Sequence, residues 1–127
     1  MFSKLQEFYP LSEEKVEKFK KFKELLLKYN KMFNLTALLS DEDIEIKHFL
    51  DSLLGEKYFL KGENVVEVGS GGGFPSVPLM IYRPDLKFTL IESTQKKCEF
   101  LKTVINELKL NASVYNMRAE EAGKNID

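Results

Sequence analysis

The chain has 127 residues, 43% hydrophobic and 31% charged, with a formal net charge of −1. That length suits one domain able to bury a core without a covalent staple, and the balanced charge means that any nucleic-acid-binding face must be local. One cysteine, Cys98, excludes an intrachain disulfide and fits a reducing cytoplasm, and with a single histidine, His48, too few ligands exist for a tetrahedral zinc site. No run reaches the roughly 20 apolar residues of a membrane span.

Residues from about 12 to 33 predict one amphipathic helix. Ser12 is its cap, Glu13 and Glu14 favour its positive end, and Val16, Phe19, Phe22, Leu26, Tyr29 and Phe33 form a stripe at three- and four-residue spacing. Lys15, Lys18, Lys20, Lys21, Lys23, Lys28 and Lys31 lie between them, and read either as a solvated face or as a surface turned toward phosphates. Ser40 followed by Asp43 resembles a capping box and opens a second helix, with Ile44, Phe49, Leu50, Leu53 and Leu54 as its apolar residues. His48 falls in this helix and is expected to be packed or at the surface rather than a ligand.

After Gly62 the pattern becomes β-branched. Val65-Val66-Glu67-Val68 predicts a buried strand that breaks into Gly69-Ser70-Gly71-Gly72-Gly73-Phe74-Pro75. Pro75 suits the first turn of a helix that ends at Arg83-Pro84. Phe88 to Glu92 predicts a second strand, Ser93 or Thr94 caps a helix running to about Leu108, and Asn111 to Tyr115 is a third strand candidate. Cys98 lies within that helix and reads as a packed small hydrophobe. Strand, helix, strand, helix, strand with short connections predicts a parallel sheet in an α/β fold.

The glycine loop carries the functional signal. Glycines between a strand and a helix let the chain turn sharply and let a ligand approach the backbone. Glu92 ends the next strand 23 residues past Gly69, the place from which a carboxylate reaches a ribose. Gly69, Gly71 and Gly73 recur at spacing two, not in the G-x-G-x-x-G order of a nicotinamide or flavin site, and no Lys-Ser or Lys-Thr follows as in a phosphate-binding P-loop. Glu67 would repel a pyrophosphate and accept a hydrogen bond from an ammonium group. S-adenosyl-L-methionine fits these residues best.

Several segments together resemble a specific family. They are Tyr29-Asn30 with Asn34-Leu35-Thr36-Ala37, His48-Phe49-Leu50-Asp51-Ser52-Leu53, the run from Glu67 to Leu79, Leu90-Ile91-Glu92-Ser93, Lys96-Lys97, Phe100-Leu101, and Arg118-Ala119-Glu120-Glu121. The chain is similar, from about residue 5 to its end, to the bacterial methyltransferases that modify a guanine of small-subunit (16S) ribosomal RNA at position 7, also called glucose-inhibited division protein B. Two departures stand out: Tyr29 where the family has tryptophan, and Ser76 where it has glycine.

The resemblance implies a class I S-adenosylmethionine-dependent methyltransferase (Rossmann-like) fold. Residues 1–60 would be an N-terminal helical extension packed on the same domain, and 61–127 the N-terminal half of the Rossmann-like part. It implies that further strands and helices follow in the family fold. The expected cofactor-binding residues are Glu67, Gly69, Gly71, Gly73 and Phe74 around the loop, Glu92 on the ribose, and Ala119 with Glu120 beside the adenine. The implied partner is 16S ribosomal RNA or the small ribosomal subunit, met by a cytoplasmic monomer with no membrane and no metal. Position 7 of guanine carries a lone pair and no proton, so its methylation needs no general base, and no catalytic residue is expected.

Overall fold

The computed structural model describes residues 2–35 and 40–121. It opens with a short helix, α1 (Ser3–Phe8), which the sequence pattern did not announce because six residues are too few to show a period. Burial explains it: Leu5 is fully buried, and Phe2 sits edge-on to Phe19 at 6.2 Å and to Phe49 at 5.8 Å. Helix α2 (Glu13–Asn30) starts where expected, with the Lys15 amide donating to Ser12 Oγ at 3.2 Å. It ends three residues earlier than the stripe suggests, where Asn30 Oδ1 accepts the Leu35 N–H at 2.7 Å.

The second predicted helix departs from α geometry. Ser40 Oγ does accept the Asp43 amide, opening α3 (Asp41–Asp43), but Ile44–Leu50 is a π-helix before α4 (Asp51–Leu53) resumes. The apolar spacing accounts for this. Ile44 and Phe49, both fully buried, are five residues apart, so hydrogen bonds from i to i+5 bring them to one face where an α-turn would not.

A 3₁₀ turn, Glu56–Tyr58, leads to β1 (Asn64–Val68), α5 (Ser76–Tyr82), β2 (Lys87–Glu92), α6 (Gln95–Leu108) and β3 (Ala112–Asn116). The three strands are parallel in the order β1-β2-β3. Register pairs Glu67 with Leu90 and Leu90 with Val114 on one face, and Val68 with Ile91 and Ile91 with Tyr115 on the other. The first face joins a core that also takes Phe22 and Leu26 of α2, Val77 and Met80 of α5, and Phe100, Leu101 and Val104 of α6. The other face presents Val66 and Val68, each 54% exposed, and Tyr115. The expectation that β1 is buried is therefore corrected: a β-branched run reports strand propensity, while burial on both faces needs two covering layers, and β1 has one among the described residues.

Candidate functional site

The site forms where the strands end, at the carboxyl edge of the sheet, which is where open α/β sheets hold ligands. Gly69 (φ +74) and Gly71 (φ +52) carry the chain out of β1 in conformations L side chains rarely adopt. A Cβ at Gly69 would meet nothing within 4 Å, and one at Gly71 only the Gly69 carbonyl at 3.9 Å, so the space above both is open to a ligand. Gly73 has a different task. Its φ is +87, and a Cβ there would come within 2.7 Å of Val77 Cγ2, so this glycine lets α5 close onto the loop.

Glu92 ties the loop to the second strand. The Gly71 N–H donates to its Oε1 at 2.9 Å and the Thr94 N–H to its Oε2 at 2.8 Å, while the residue is only 5% exposed. Burial alone would raise its pKa, but the Thr94 and Gly71 amides, helped by Lys97, hold it below the ordinary glutamate value. The carboxylate is thus kept ionised, and each oxygen retains a second lone pair for a hydroxyl. Cys98 packs below it, its thiol donating to the Glu92 carbonyl at 3.1 Å, and burial pushes that thiol up, away from nucleophile chemistry.

Glu67 lies on the covered face of β1, in register with Leu90. Burial raises its pKa, and the nearby Ser70 and Ser76 hydroxyls offset that only in part. Glu67 Oε1, Ser70 Oγ and Ser76 Oγ are buried without a hydrogen-bond partner among the described residues. The three groups lie side by side at the foot of the loop.

Phe74 closes the loop and turns away from it toward the helical layer. Its ring lies 5.5 Å from Phe22 and 6.4 Å from Phe49, and the His48 imidazole stacks on it at 4.3 Å with 14° between the planes. Beyond this pair opens a pocket of about 540 Å³, lined among others by Lys47, His48, Asp51, Tyr58 and Phe74.

The family model for rRNA small subunit methyltransferase G (GidB) matches residues 15–127. Among curated relatives, the ribosomal RNA small subunit methyltransferase G of Leuconostoc citreum is 41% identical over 121 residues, covering 91% of this chain and 51% of the relative. That of a Thermoanaerobacter species is 45% identical over 114 residues (87% and 48%), and that of Carboxydothermus hydrogenoformans 40% identical over 131 residues (98% and 56%). The chain belongs to the GidB family. It spans about half the length of the curated relatives it matches.

Within this GidB-family chain the structure brings Gly69, Gly71, Gly73 and Glu92 into one group. Ala119 and Glu120 follow β3 at the same end of the sheet, where the Met117 N–H donates to the Glu92 carbonyl at 3.2 Å. Glu67 and Phe74 flank that group from the covered face and from the helical layer. The Thr36-Ala37 part of the Asn-Leu-Thr-Ala segment lies outside the described residues, as does everything after Glu121.

The lysines of α2 are mostly engaged within the molecule. Lys15 donates to the Tyr82 carbonyl at 2.8 Å, Lys23 pairs with Asp41 at 2.7 Å, and Lys18 and Lys21 pair with Glu14 and Glu107. Those partners favour the solvated-face reading over a phosphate-facing one. Among the described residues no helix is long and apolar enough to cross a membrane, and no group of three or more His, Cys, Asp or Glu could hold a metal. The sequence reading missed the pocket beside Phe74. The Tyr58-Phe59 pair just past the His-Phe-Leu-Asp-Ser-Leu segment was its one available signal.

Proposed function

We propose that this chain carries the methyl-donor site of an S-adenosyl-L-methionine-dependent methyltransferase that modifies N7 of a guanine in 16S ribosomal RNA. The observation that carries the reading is the pairing of open glycines with a buried, ionised carboxylate: Gly69 and Gly71 leave the backbone approachable, and Glu92 is locked to the Gly71 amide beside them. When bound, S-adenosylmethionine supplies an electrophilic methyl group. Glu92 would hold the ribose hydroxyls, Gly69 and Gly71 would let the backbone approach while Gly73 closes α5 onto the loop, and Ala119 and Glu120 would border the adenine.

The buried Glu67 carboxyl, with the Ser70 and Ser76 hydroxyls beside it, suits the ammonium end of the amino-acid moiety. Guanine N7 has no proton to lose, so the residues of this chain orient the reactants and exclude water rather than act as a base. Residues 1–60 belong with the sheet as one folding unit in this reading, their aromatic side chains supplying the wall against which Phe74 rests.

The second reading is that this chain binds the donor without transferring the methyl group. Incubation with methyl-labelled S-adenosylmethionine and deproteinised small-subunit RNA, followed by nucleoside mass spectrometry, separates the readings. Labelled 7-methylguanosine supports the first reading. Donor binding without label supports the second, and label on another position or nucleoside contradicts the substrate assignment.

A further inference from the structure

We infer that the pocket between the π-helix and Phe74 is the docking site for a single unstacked guanine of RNA, and that Asp51 selects it. The inference rests on the proposed donor site, because Phe74 is shared: it ends the glycine loop and also forms one wall of the pocket. A methyl acceptor lodged here would abut the loop.

The walls suit a planar base. His48 and Phe74 are already stacked at 4.3 Å, and burial lowers the His48 pKa, which favours a neutral imidazole despite Asp43 and Asp51 nearby. Tyr58, which lines the same pocket, stands 87% exposed on its 3₁₀ turn. That turn is not loosely held. Arg83 clamps it, donating from Nη1 to Glu56 Oε2 at 3.2 Å and to the Glu56 carbonyl at 3.1 Å, and from Nη2 to Asp85 Oδ2 at 2.8 Å. An exposed ring on an anchored turn, lining the same pocket as a stacked pair, is a platform for base stacking. At about 540 Å³ the pocket falls in the range of small-ligand sites.

The polar groups suit guanine in particular. Asp51 is exposed at the pocket and carries no ion pair among the described residues. An ionised carboxylate only accepts hydrogen bonds. Among the four RNA bases only guanine offers two adjacent donors on its Watson–Crick edge, N1–H and N2–H₂. Adenine and cytosine each set a ring-nitrogen acceptor beside their amino group, and uracil flanks its one N–H with two carbonyls, so each brings a lone pair against the carboxylate. Reading guanine by that edge leaves N7, on the opposite edge, unobstructed. Lys47, on the same rim and only loosely paired with Asp43 at 3.4 Å, can meet the attached phosphate.

The test uses this chain, two nine-residue oligoribonucleotides (U4-G-U4 and U9), and guanosine and adenosine 5′-monophosphates, with binding followed by calorimetry and by amide shifts of Ser52 and Gly55. The account expects U4-G-U4 to bind about tenfold more tightly than U9, a difference that Asp51→Asn removes and Tyr58→Ala reduces. Asp51 and Tyr58 are exposed, so circular dichroism should show both variants folded. Equal binding of the two oligomers, or a guanine preference that survives Asp51→Asn, overturns the proposal. So does guanosine monophosphate binding as tightly as U4-G-U4, which would make free nucleotide the ligand, or competition between guanosine monophosphate and S-adenosylmethionine, which would put the donor in this pocket. Failure to bind S-adenosylmethionine alone would count against the donor site and leave the guanine preference to stand or fall on its own readings.

Discussion

The glycine loop and the aromatic wall behind it meet at Phe74 yet are specified in different ways. The loop is a backbone device: positive φ at Gly69, Gly71 and Gly73, and two amides fixed on Glu92. The wall is a side-chain device: Phe2, Phe19, Phe22, Phe49 and Phe74 packed ring against ring, with a π-turn bringing Ile44 and Phe49 to one face. Backbone geometry is local and tied to one residue type, so a substitution in the loop has a defined steric cost. Packing geometry is distributed, so a substitution in the wall leaves a hole whose effect spreads.

The largest effect should come from breaking the wall. Phe49 is fully buried and touches four other aromatic rings, so Phe49→Ala should lower stability by about 3–5 kcal/mol in urea unfolding. A loss under about 1 kcal/mol would mean that the wall is not the centre of the helical layer. Next comes the loop. Gly73→Ala adds a methyl within 2.7 Å of Val77 at a φ of +87 and should cost about 2–4 kcal/mol. Gly55→Ala, with nothing within 4 Å and no positive φ, should stay within about 0.5 kcal/mol and serves as the matched control.

The smallest effect sharpens the comparison where the two regions share a boundary. Burial raises the Glu67 pKa above its ordinary 4.5, so just above that value the folded state retains a proton that the unfolded state has released. Stability contributed by that carboxyl is therefore present at low pH and falls as pH rises through the window above the unfolded value. Glu67→Gln keeps the shape and removes the titration, so its melting temperature relative to the parent should climb as pH is raised above 4.5. A flat difference across that range would place Glu67 in contact with water instead.

Legibility in the sequence followed the same division. The loop could be read because glycine spacing, a preceding strand and Glu92 ending the next strand are each confined to a few consecutive residues, and strands, helices and caps at Ser12 and Ser40 came out within a few positions. What depended on distant partners was not legible. Helix α1 exists because Phe2 and Leu5 reach Phe19 and Phe49. The exposure of Val66 and Val68 depends on which layers cover the sheet, which β-propensity does not encode. The five-residue step from Ile44 to Phe49 was visible, but an α-helical period was read across it. The partners of the α2 lysines, Asp41, Glu107 and the Tyr82 carbonyl, likewise come from other parts of the chain.

Calorimetric titration of this chain with S-adenosylmethionine, beside Glu92→Gln, tests the central claim most directly. The account predicts binding by the parent, and binding about tenfold weaker in the variant, whose neutral amide keeps one acceptor oxygen but loses the charge shared by the Gly71 and Thr94 amides and a ribose hydroxyl. A folded parent that takes up no S-adenosylmethionine, or a variant that binds as tightly as the parent, would contradict the assignment of the glycine loop and Glu92 as the donor site.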